Sequence, residues 1–308
     1  MEPNELHPPT RNRRSLWQTV KEAMPGRSKS DTASHQSAVS VRKTDPMRLV
    51  LIAGPPRSGT TWLHRELCKG DHTSGFLPEC TLLTQQVALY ERTLHSCDPQ
   101  RFSTYFGTPR GLMAYYQDNV VRLLNLTMSL NTSTETETLI LKDPELTHLL
   151  NEIVDVMPRH DLVVLVRDPR DVIGSVKKVS QRKQEAWDIQ KSVEWIYTYY
   201  SAIALRREKA DEDVKFVRYE DLVADDHGLD NLRSSLRITQ MAYVGDQSEM
   251  ENVRSSLDRS DPFFSDLYLK PTTKSAIGSY RAVLDDQEIA LVERVFSGVM
   301  ESWNYVVQ

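Results

Sequence analysis

A short glycine-rich segment combines one cation with several hydroxyl groups. Residues 54–62 read Gly-Pro-Pro-Arg-Ser-Gly-Thr-Thr-Trp, which gives the glycines a G-x-x-x-x-G spacing. The apolar run before it, residues 48–53, predicts a buried strand, and residues 60–69 predict a helix. Backbone N–H groups at a helix N-terminus point outward, and the helix dipole adds partial positive charge. This strand–loop–helix pattern therefore predicts a phosphate-binding loop.

The loop differs from that of the nucleotide triphosphatases at one position. Directly after the second glycine, where those proteins place a phosphate-binding lysine, this chain has Thr60. A cation lies inside the loop instead, at Arg57. This arrangement favours a ligand with one 5′-phosphate and a reactive group beside it over magnesium-bound ATP. The alternative is a tight strand-to-helix turn that binds no ligand.

A second segment of similar character follows another predicted strand. Residues 164–176 read VLVRDPRDVIGSV, so that Arg167 ends the strand and Ser175 follows eight residues later. Ligands of open α/β sheets bind at the carboxyl ends of strands, and a guanidinium can grip a phosphate through two parallel hydrogen bonds. We therefore predict that Arg167 and Ser175 bind a second phosphate. The alternative is an arginine paired with Asp168 or Asp171 on the surface.

Several segments together resemble the sulfotransferases that use 3′-phosphoadenosine 5′-phosphosulfate (PAPS). The loop is similar to the 5′-phosphosulfate loop of that family, and residues 164–176 are similar to its 3′-phosphate segment. KDP at 142–144, VRYEDL at 217–222 and KPTTKSAIGSYRAVL at 270–284 follow the family pattern in the family order. The resemblance spans residues 48–305. It implies transfer of a sulfuryl group from PAPS to a hydroxyl or amine acceptor by in-line displacement.

The implied reaction needs positive charge beside the transferred group and a base for the acceptor proton. The expected cations are Arg57, in the loop, and Lys142, which ends the predicted strand 139–142. Because these two side chains supply the positive charge, no metal is expected to take part. The alternative for Lys142 is an ordinary surface lysine at a strand end.

The expected base is Glu79. The phenol and steroid branch of the family uses a histidine, and the chain has no matching histidine motif. It resembles more closely the tyrosylprotein and bacterial branch, which places a glutamate some twenty residues after the basic residue of the loop. Glu79, in FLPEC at 76–80, lies 22 residues after Arg57. The alternative is a helix-capping glutamate, with Pro78 opening a helix over 80–92.

The resemblance also implies which residues contact the nucleotide. Trp62 offers a stacking face for adenine, and Tyr219 resembles the family's nucleotide-contacting tyrosine, with core packing as the alternative for both. Family members often carry Arg-Lys-Gly near the C-terminus, whereas this chain keeps only the lysine, Lys274, so Arg281 or Lys270 is the expected replacement for the arginine. The expected donor-binding residues are Arg57, Ser58, Gly59, Thr60, Thr61, Trp62, Arg167, Ser175, Tyr219, Lys274, Gly278 and Arg281.

Strands and helices alternate along the part of the chain that holds these motifs. This alternation predicts an α/β protein with a three-layer P-loop-like fold, a central parallel sheet with helices on both faces. Residues 85–138 and 225–272 lack clear alternation and are expected to be helical or loop insertions that shape the acceptor pocket. The predicted strands are 48–53, 139–142, 161–166 and 214–218, and the predicted helices are 60–69, 145–157, 169–179, 185–209 and 285–300.

Composition sets the remaining expectations. The chain has 308 residues, of which 39% are hydrophobic and 26% charged, with three cysteines and a net charge of −5. The negative charge argues against nucleic acid as a partner. No apolar run is long enough to span a membrane. The sparse cysteines and the lack of a secretory signal predict a cytoplasmic protein.

Residues 1–45 differ from the rest because they are polar, basic and without apolar periodicity. They predict a disordered arm ahead of a sulfotransferase domain at 46–308. The basic cluster Arg11–Arg14 is either part of a solvated tail or a weak contact for a membrane surface.

Two other functions are compatible with a phosphate loop. One is a P-loop kinase of small molecules, against which Thr60 and the Arg167–Ser175 segment argue. The other is a non-catalytic nucleotide-binding or scaffold protein, against which Arg57, Lys142 and Glu79 argue. No motif in the sequence identifies the acceptor or the oligomeric state.

Overall fold

The computed structural model describes residues 48–96, 98–209, 214–224, 226–239 and 274–306. The predicted arm at 1–45, its cluster Arg11–Arg14 and the candidate Lys270 lie outside the described residues. All four predicted strands are present within them, as is nearly every predicted helix.

Four strands form one parallel sheet in the order β2-β1-β3-β4. The chain passes from β1 to one neighbour, β2, and then to the neighbour on the other side, β3. The carboxyl end of β1 is therefore the point at which ligands of open α/β sheets bind. The strands are β1 Arg48–Ala53, β2 Thr138–Lys142, β3 His160–Val166 and β4 Val214–Arg218.

The sheet is buried on both faces, as the continuous apolar strands predict. Successive side chains of a strand point to opposite faces, so β1 sends Leu49 and Leu51 into one core and Val50 and Ile52 into the other. Helices cover both cores. The α/β fold with three layers is therefore confirmed.

The described helices lie on both faces of this sheet. Their bounds are α1 Thr60–Leu67, α2 Thr81–Ser96, α3 Pro99–Phe106, α4 Pro109–Asn131, α5 Ile153–Val156, α6 Pro169–Lys183, α7 Ile189–Arg207, α8 Tyr219–Ala224, α9 Asp226–Ser235, α10 Asp286–Val295 and α11 Ser297–Ser302, with 3-10 helices at Pro144–Leu149, Lys274–Ala276 and Ser279–Ala282.

Two of the predicted helices are each divided in the structure. The expected helix at 145–157 is a 3-10 helix followed by the short α5, because Asp143 caps a tighter turn by accepting from the Glu145 N–H. The expected helix at 285–300 is α10 followed by α11. The backbone leaves the helical region at Phe296, whose fully buried ring packs edge-on against Tyr200.

Other helix boundaries shift by a few residues. The helix predicted from residue 185 begins at Ile189, because the Asp188 side chain accepts from the backbone N–H of Lys191 and so caps the helix there. The first insertion, 85–138, is largely helical and contains most of α2 and all of α3 and α4. Of the second, 225–272, the structure describes α9 and little else. Among the described helices, none has the length and apolar character needed to cross a membrane.

Candidate active site

The glycine-rich loop leaves the carboxyl end of β1 through three residues with positive φ, namely Gly54, Arg57 and Gly59. A Cβ on Gly54 would lie 2.3 Å from the backbone oxygen of Leu165 on the neighbouring strand, so only glycine fits there. The Gly54 N–H donates to the Thr147 hydroxyl at 2.8 Å. The loop is thereby hydrogen-bonded to the 3-10 helix that follows β2 and packed closely against β3.

Gly59 stands at the start of α1 with φ of 104°. A Cβ there would lie 2.8 Å from the ring of Tyr219. The backbone N–H groups of Thr60 and Thr61 lie in the first helical turn, where a helix leaves donors for an external acceptor. The Ser58 hydroxyl is fully buried and has no hydrogen-bond partner among the described residues. The loop thus offers donors that suit an anion.

Arg57 and Ser175 are brought together across the sheet edge. The Arg57 Nε donates to the Ser175 hydroxyl at 3.1 Å. Arg57 belongs to the loop after β1, whereas Ser175 lies in α6 after β3. The two segments that the sequence identified separately therefore form one site.

Arg167 is buried at the centre of this site, with only 6% of its surface exposed. It donates to the backbone carbonyl of Arg57 at 3.2 Å and to that of Ala276 at 2.6 Å. Its guanidinium lies over the Tyr219 ring, 4.6 Å from the centroid. The Nε has no hydrogen-bond partner in the described part of the chain. Of the alternative, a surface pairing of Arg167 with Asp168 or Asp171, the ion pair with Asp171 is present, but both side chains are buried rather than on the surface. Phosphate binding by Arg167 stays a prediction.

Asp171 is a site residue that sequence reasoning treated only as a possible surface partner of Arg167. It is 1% exposed and lies 3.8 Å from the Arg167 guanidinium. Its carboxylate accepts from the backbone N–H groups of Gly278 and Tyr280 at 2.8 and 3.0 Å, and from the Ser279 hydroxyl. It anchors the C-terminal motif to α6. Its spacing of four residues after Arg167, which places two side chains side by side on a helix, is the sequence feature that indicated a contact between them.

Lys142 and Glu79 form an ion pair with 2.6 Å between Nζ and Oε1. The Lys142 side chain is 4% exposed and that of Glu79 is 51% exposed. Lys142 also donates to the Thr61 hydroxyl at 3.2 Å, which ties it to the first turn of α1. Lys142 is therefore buried beside the loop, and the surface-lysine alternative is wrong. Glu79 lies two residues before α2 begins at Thr81.

The two expected adenine-contacting aromatics pack against each other. Trp62 and Tyr219 are both 7% exposed, and their rings meet edge to face at 5.5 Å. Burial raises the pKa of the Tyr219 phenol. In this arrangement Tyr219 supports Arg167 and Gly59, and its contact with a nucleotide stays a prediction.

The C-terminal motif reaches the same edge of the sheet through Ala276 and Gly278. Lys274 and Arg281 are both exposed to solvent. The Arg281 guanidinium lies over the Tyr280 ring at 4.7 Å, and Gly278 has a φ of 68°. Lys274 and Arg281 remain candidates for binding the 3′-phosphate. Among the described residues, neither side chain contacts Arg167 directly.

Behind the loop lies a buried histidine that sequence reasoning did not assign. His64 is in α1, is fully buried, and has its Nε2 3.1 Å from the Ile140 carbonyl oxygen. Burial, and secondly the nearby charge of Lys142, lower its pKa to about 3. The ring is therefore neutral at physiological pH. Within the described ranges, no group of three or more His, Cys, Asp or Glu side chains is placed to hold a metal ion.

A loop of this geometry on a parallel sheet of this order defines a P-loop-like α/β protein. The model of the sulfotransferase family matches residues 50–229, more than half of the chain. The chain belongs to the sulfotransferase family. The expected family is thus confirmed, whereas the closer relation to the tyrosylprotein and bacterial branch stays a prediction.

Solved structures support the fold. The sulfotransferase domain from the curacin biosynthetic pathway is 18% identical with a TM-score of 0.52, covering 87% of this chain and all of that one (100%). The sulfotransferase domain from the Synechococcus PCC 7002 olefin synthase is 21% identical with a TM-score of 0.53, covering 86% of this chain and 97% of that one. A search of curated protein sequences found no match.

Proposed function

We propose that this sulfotransferase takes its sulfuryl group from PAPS and transfers it to a hydroxyl or amine of an acceptor. The observation that carries the proposal is the hydrogen bond between Arg57 and Ser175. It joins the loop suited to a 5′-phosphosulfate and the segment suited to a 3′-phosphate in one site. A donor with both groups fits such a site better than one with a chain of phosphates.

Unsatisfied donors support this assignment. The buried Ser58 hydroxyl and the Arg167 Nε have no hydrogen-bond partner among the described residues, and buried polar groups of this kind are costly unless a ligand completes them. In the proposal, the first turn of α1 and Ser58 hold the 5′-phosphosulfate, and Arg167 with Ser175 holds the 3′-phosphate. Lys274, Gly278 and Arg281 lie on the C-terminal segment that adjoins the latter.

The proposed roles in transfer follow from charge and position. PAPS supplies the sulfuryl group, and adenosine 3′,5′-bisphosphate is the leaving group. The acceptor oxygen or nitrogen bonds to sulfur as the bond from sulfur to the 5′-phosphate oxygen breaks. Glu79 takes the proton that the acceptor loses. Arg57 and Lys142 stabilise the negative charge that grows on the leaving oxygen, which is electrostatic stabilisation at the transferring group.

The finer assignments are proposals of the same kind. The acceptor bears a hydroxyl or amine group, in a small molecule, a glycan, a lipid or a peptide. The odd and low number of cysteines supports a reducing, cytoplasmic compartment. Arg57 and Lys142 already supply positive charge, so we propose that no metal takes part in the transfer.

A donor competition experiment tests the proposal. Sulfuryl transfer from radiolabelled PAPS is followed across a panel of alcohols, phenols, glycans, lipids and peptides, with and without EDTA. Adenosine 3′,5′-bisphosphate is expected to inhibit, ATP is not, and EDTA is expected to leave the rate unchanged. Transfer of phosphate from labelled ATP that EDTA abolishes would establish the kinase instead. Binding of adenosine 3′,5′-bisphosphate without turnover across the panel would favour the non-catalytic alternative.

A further inference from the structure

The segment that carries Glu79 is fastened to the end of β2 at two points. The backbone N–H of Cys80, next to Glu79, donates to the Lys142 carbonyl at 3.0 Å. In the first turn of α2, the Thr84 hydroxyl donates to the Asp143 carboxylate at 2.7 Å. One bond joins the residue after Glu79 to Lys142, and the other joins the first turn of α2 to Asp143, the residue after Lys142. The two hydrogen bonds therefore attach the segment of Glu79 to that of Lys142.

The acceptor of the Thr84 bond is itself rigidly held. Asp143 is 1% exposed, its other carboxylate oxygen accepts from the Glu145 N–H at 3.0 Å, and its own N–H donates to the Ile52 carbonyl at 3.2 Å. Thr84 is 6% exposed. A hydrogen bond to a carboxylate is stronger than one between neutral groups, and exclusion of water strengthens it further.

Glu79 needs such a tether more than Lys142 does. Lys142 is buried in a strand, whereas Glu79 lies before the start of α2 with half of its side chain in solvent. Exposed side chains at helix ends lose little by moving, because they have few packing contacts. Besides the ion pair itself, the hydrogen bonds from Cys80 and Thr84 to the end of β2 hold the segment that carries the Glu79 carboxylate near the buried ammonium.

We propose that Thr84 is a positioning residue, which through Asp143 fixes the distance between Glu79 and Lys142 for proton removal. The inference rests on the proposed function, in which Glu79 is the base. Misplacement of a catalytic group by about 1 Å can cost roughly 10²-fold in rate. Thr84 therefore acts on the chemical step, whereas the donor site at Arg57 and Arg167 is not touched by it.

The test compares two threonines of the same helix. Thr84→Val removes the hydroxyl at nearly constant shape, and Thr93→Val makes the same change where the hydroxyl only donates to the Leu89 carbonyl of its own helix. The reaction is sulfuryl transfer from radiolabelled PAPS to the best acceptor of the panel, or to water if none is found. We expect kcat to fall about 10- to 100-fold in Thr84→Val, with unchanged affinity for adenosine 3′,5′-bisphosphate, and to stay at the wild-type value in Thr93→Val.

Conservative rescue separates positioning from folding. Thr84→Ser keeps the hydroxyl and is expected to recover most of the rate, while its lost methyl lowers Tm. If Thr84→Val does not fold, Thr84→Ala makes the same test without the branched side chain. The proposal is overturned if a folded variant without the hydroxyl keeps the wild-type kcat, or if its donor affinity falls along with its rate.

A double variant distinguishes failure of this inference from failure of the proposed function. If Thr84 works through Glu79, adding Thr84→Val to Glu79→Gln lowers kcat no further, because the two effects share one path. Full additivity of the two losses overturns the role of Thr84. A wild-type rate for Glu79→Gln alone instead overturns the base on which the inference rests.

Discussion

Arg167 donates a hydrogen bond of 3.2 Å to the backbone carbonyl of Arg57, so the side chain directly after β3 holds the loop that follows β1. The same guanidinium holds the Ala276 carbonyl of the C-terminal motif at 2.6 Å. One buried cation therefore links three of the five segments that carry the family resemblance, at 54–62, 164–176 and 270–284. A residue in this position affects the shape of the site as well as its charge.

Arg167→Ala is expected to weaken both donor-site ligands, but unequally. The affinity for adenosine 3′,5′-bisphosphate should fall by about 2–3 kcal/mol more than that for adenosine 5′-monophosphate, the scale of a charge-assisted hydrogen bond. Isothermal titration calorimetry measures both. Arg207→Ala is the matched control, because Arg207 also donates to a carbonyl and lies over an aromatic ring, that of Trp303. Equal losses for the two ligands would remove the 3′-phosphate from the role of Arg167.

Gly59→Ala tests whether the loop depends on its left-handed residue. At φ of 104° and with a Cβ 2.8 Å from the Tyr219 ring, alanine is strained in both backbone and packing. We expect a loss of about 1–3 kcal/mol in the free energy of unfolding, with weaker binding of adenosine 3′,5′-bisphosphate. Gly75→Ala is the control, because a Cβ there meets nothing within 4 Å. Similar melting temperatures for the two variants would contradict the packing argument.

His64 makes stability depend on pH. Its pKa is about 3 in the folded protein against an ordinary 6.5, chiefly because it is buried. As pH falls below 6.5, the unfolded chain takes up a proton that the folded protein does not, so this histidine costs stability down to about pH 3. The slope approaches about 1.4 kcal/mol per pH unit at most.

Denaturant unfolding across this pH range measures the effect of His64. His64→Gln should show a shallower fall in stability than the wild type as pH is lowered, whatever its stability at neutral pH. His227→Gln is the comparison variant, because it makes the same replacement at an exposed position. Parallel curves for His64→Gln and the wild type would mean that another group carries the proton uptake.

Much of the fold could be predicted because its strands are short apolar runs with helices between them. The strand β1, the loop at 54–59 and the start of α1 follow from local patterns alone. The division of the helix predicted at 285–300 could not be predicted, since Ile289, Val292, Phe296 and Val299 keep helical spacing across it. The backbone departs from the helix at Phe296, where a buried ring packs against Tyr200, and tertiary contacts of that kind leave no local signature.

The candidate site shows the same division. Arg57, Arg167 and Ser175 were predicted from two segments that follow strands, and the structure places the three residues in contact, while their ligand stays a prediction. Asp171 was expected only as a possible partner of Arg167, and Thr84 was not singled out, because their hydrogen bonds reach residues far along the chain, Gly278 and Asp143 respectively. Sequence periodicity reports which face a residue occupies, and it does not report which distant group that face meets.

The last prediction concerns Glu79, whose carboxylate lies 2.6 Å from the buried Lys142 ammonium. Glu79→Gln keeps the shape and a hydrogen-bonding oxygen, but the amide cannot take the acceptor proton. We expect kcat to fall by about 10²–10⁴-fold, the usual contribution of a general base. Affinity for adenosine 3′,5′-bisphosphate should change little, because Glu79 contacts Lys142 and not Arg57 or Arg167. Glu135→Gln, at an exposed position outside the site, controls for the loss of one negative charge.

A near-normal kcat in Glu79→Gln would leave the ion pair with Lys142 as a structural contact at the start of α2 and assign the proton to another group. If the glutamine variant does not fold, Glu79→Asp decides instead, since a carboxylate withdrawn by one methylene should lose rate while the fold is kept.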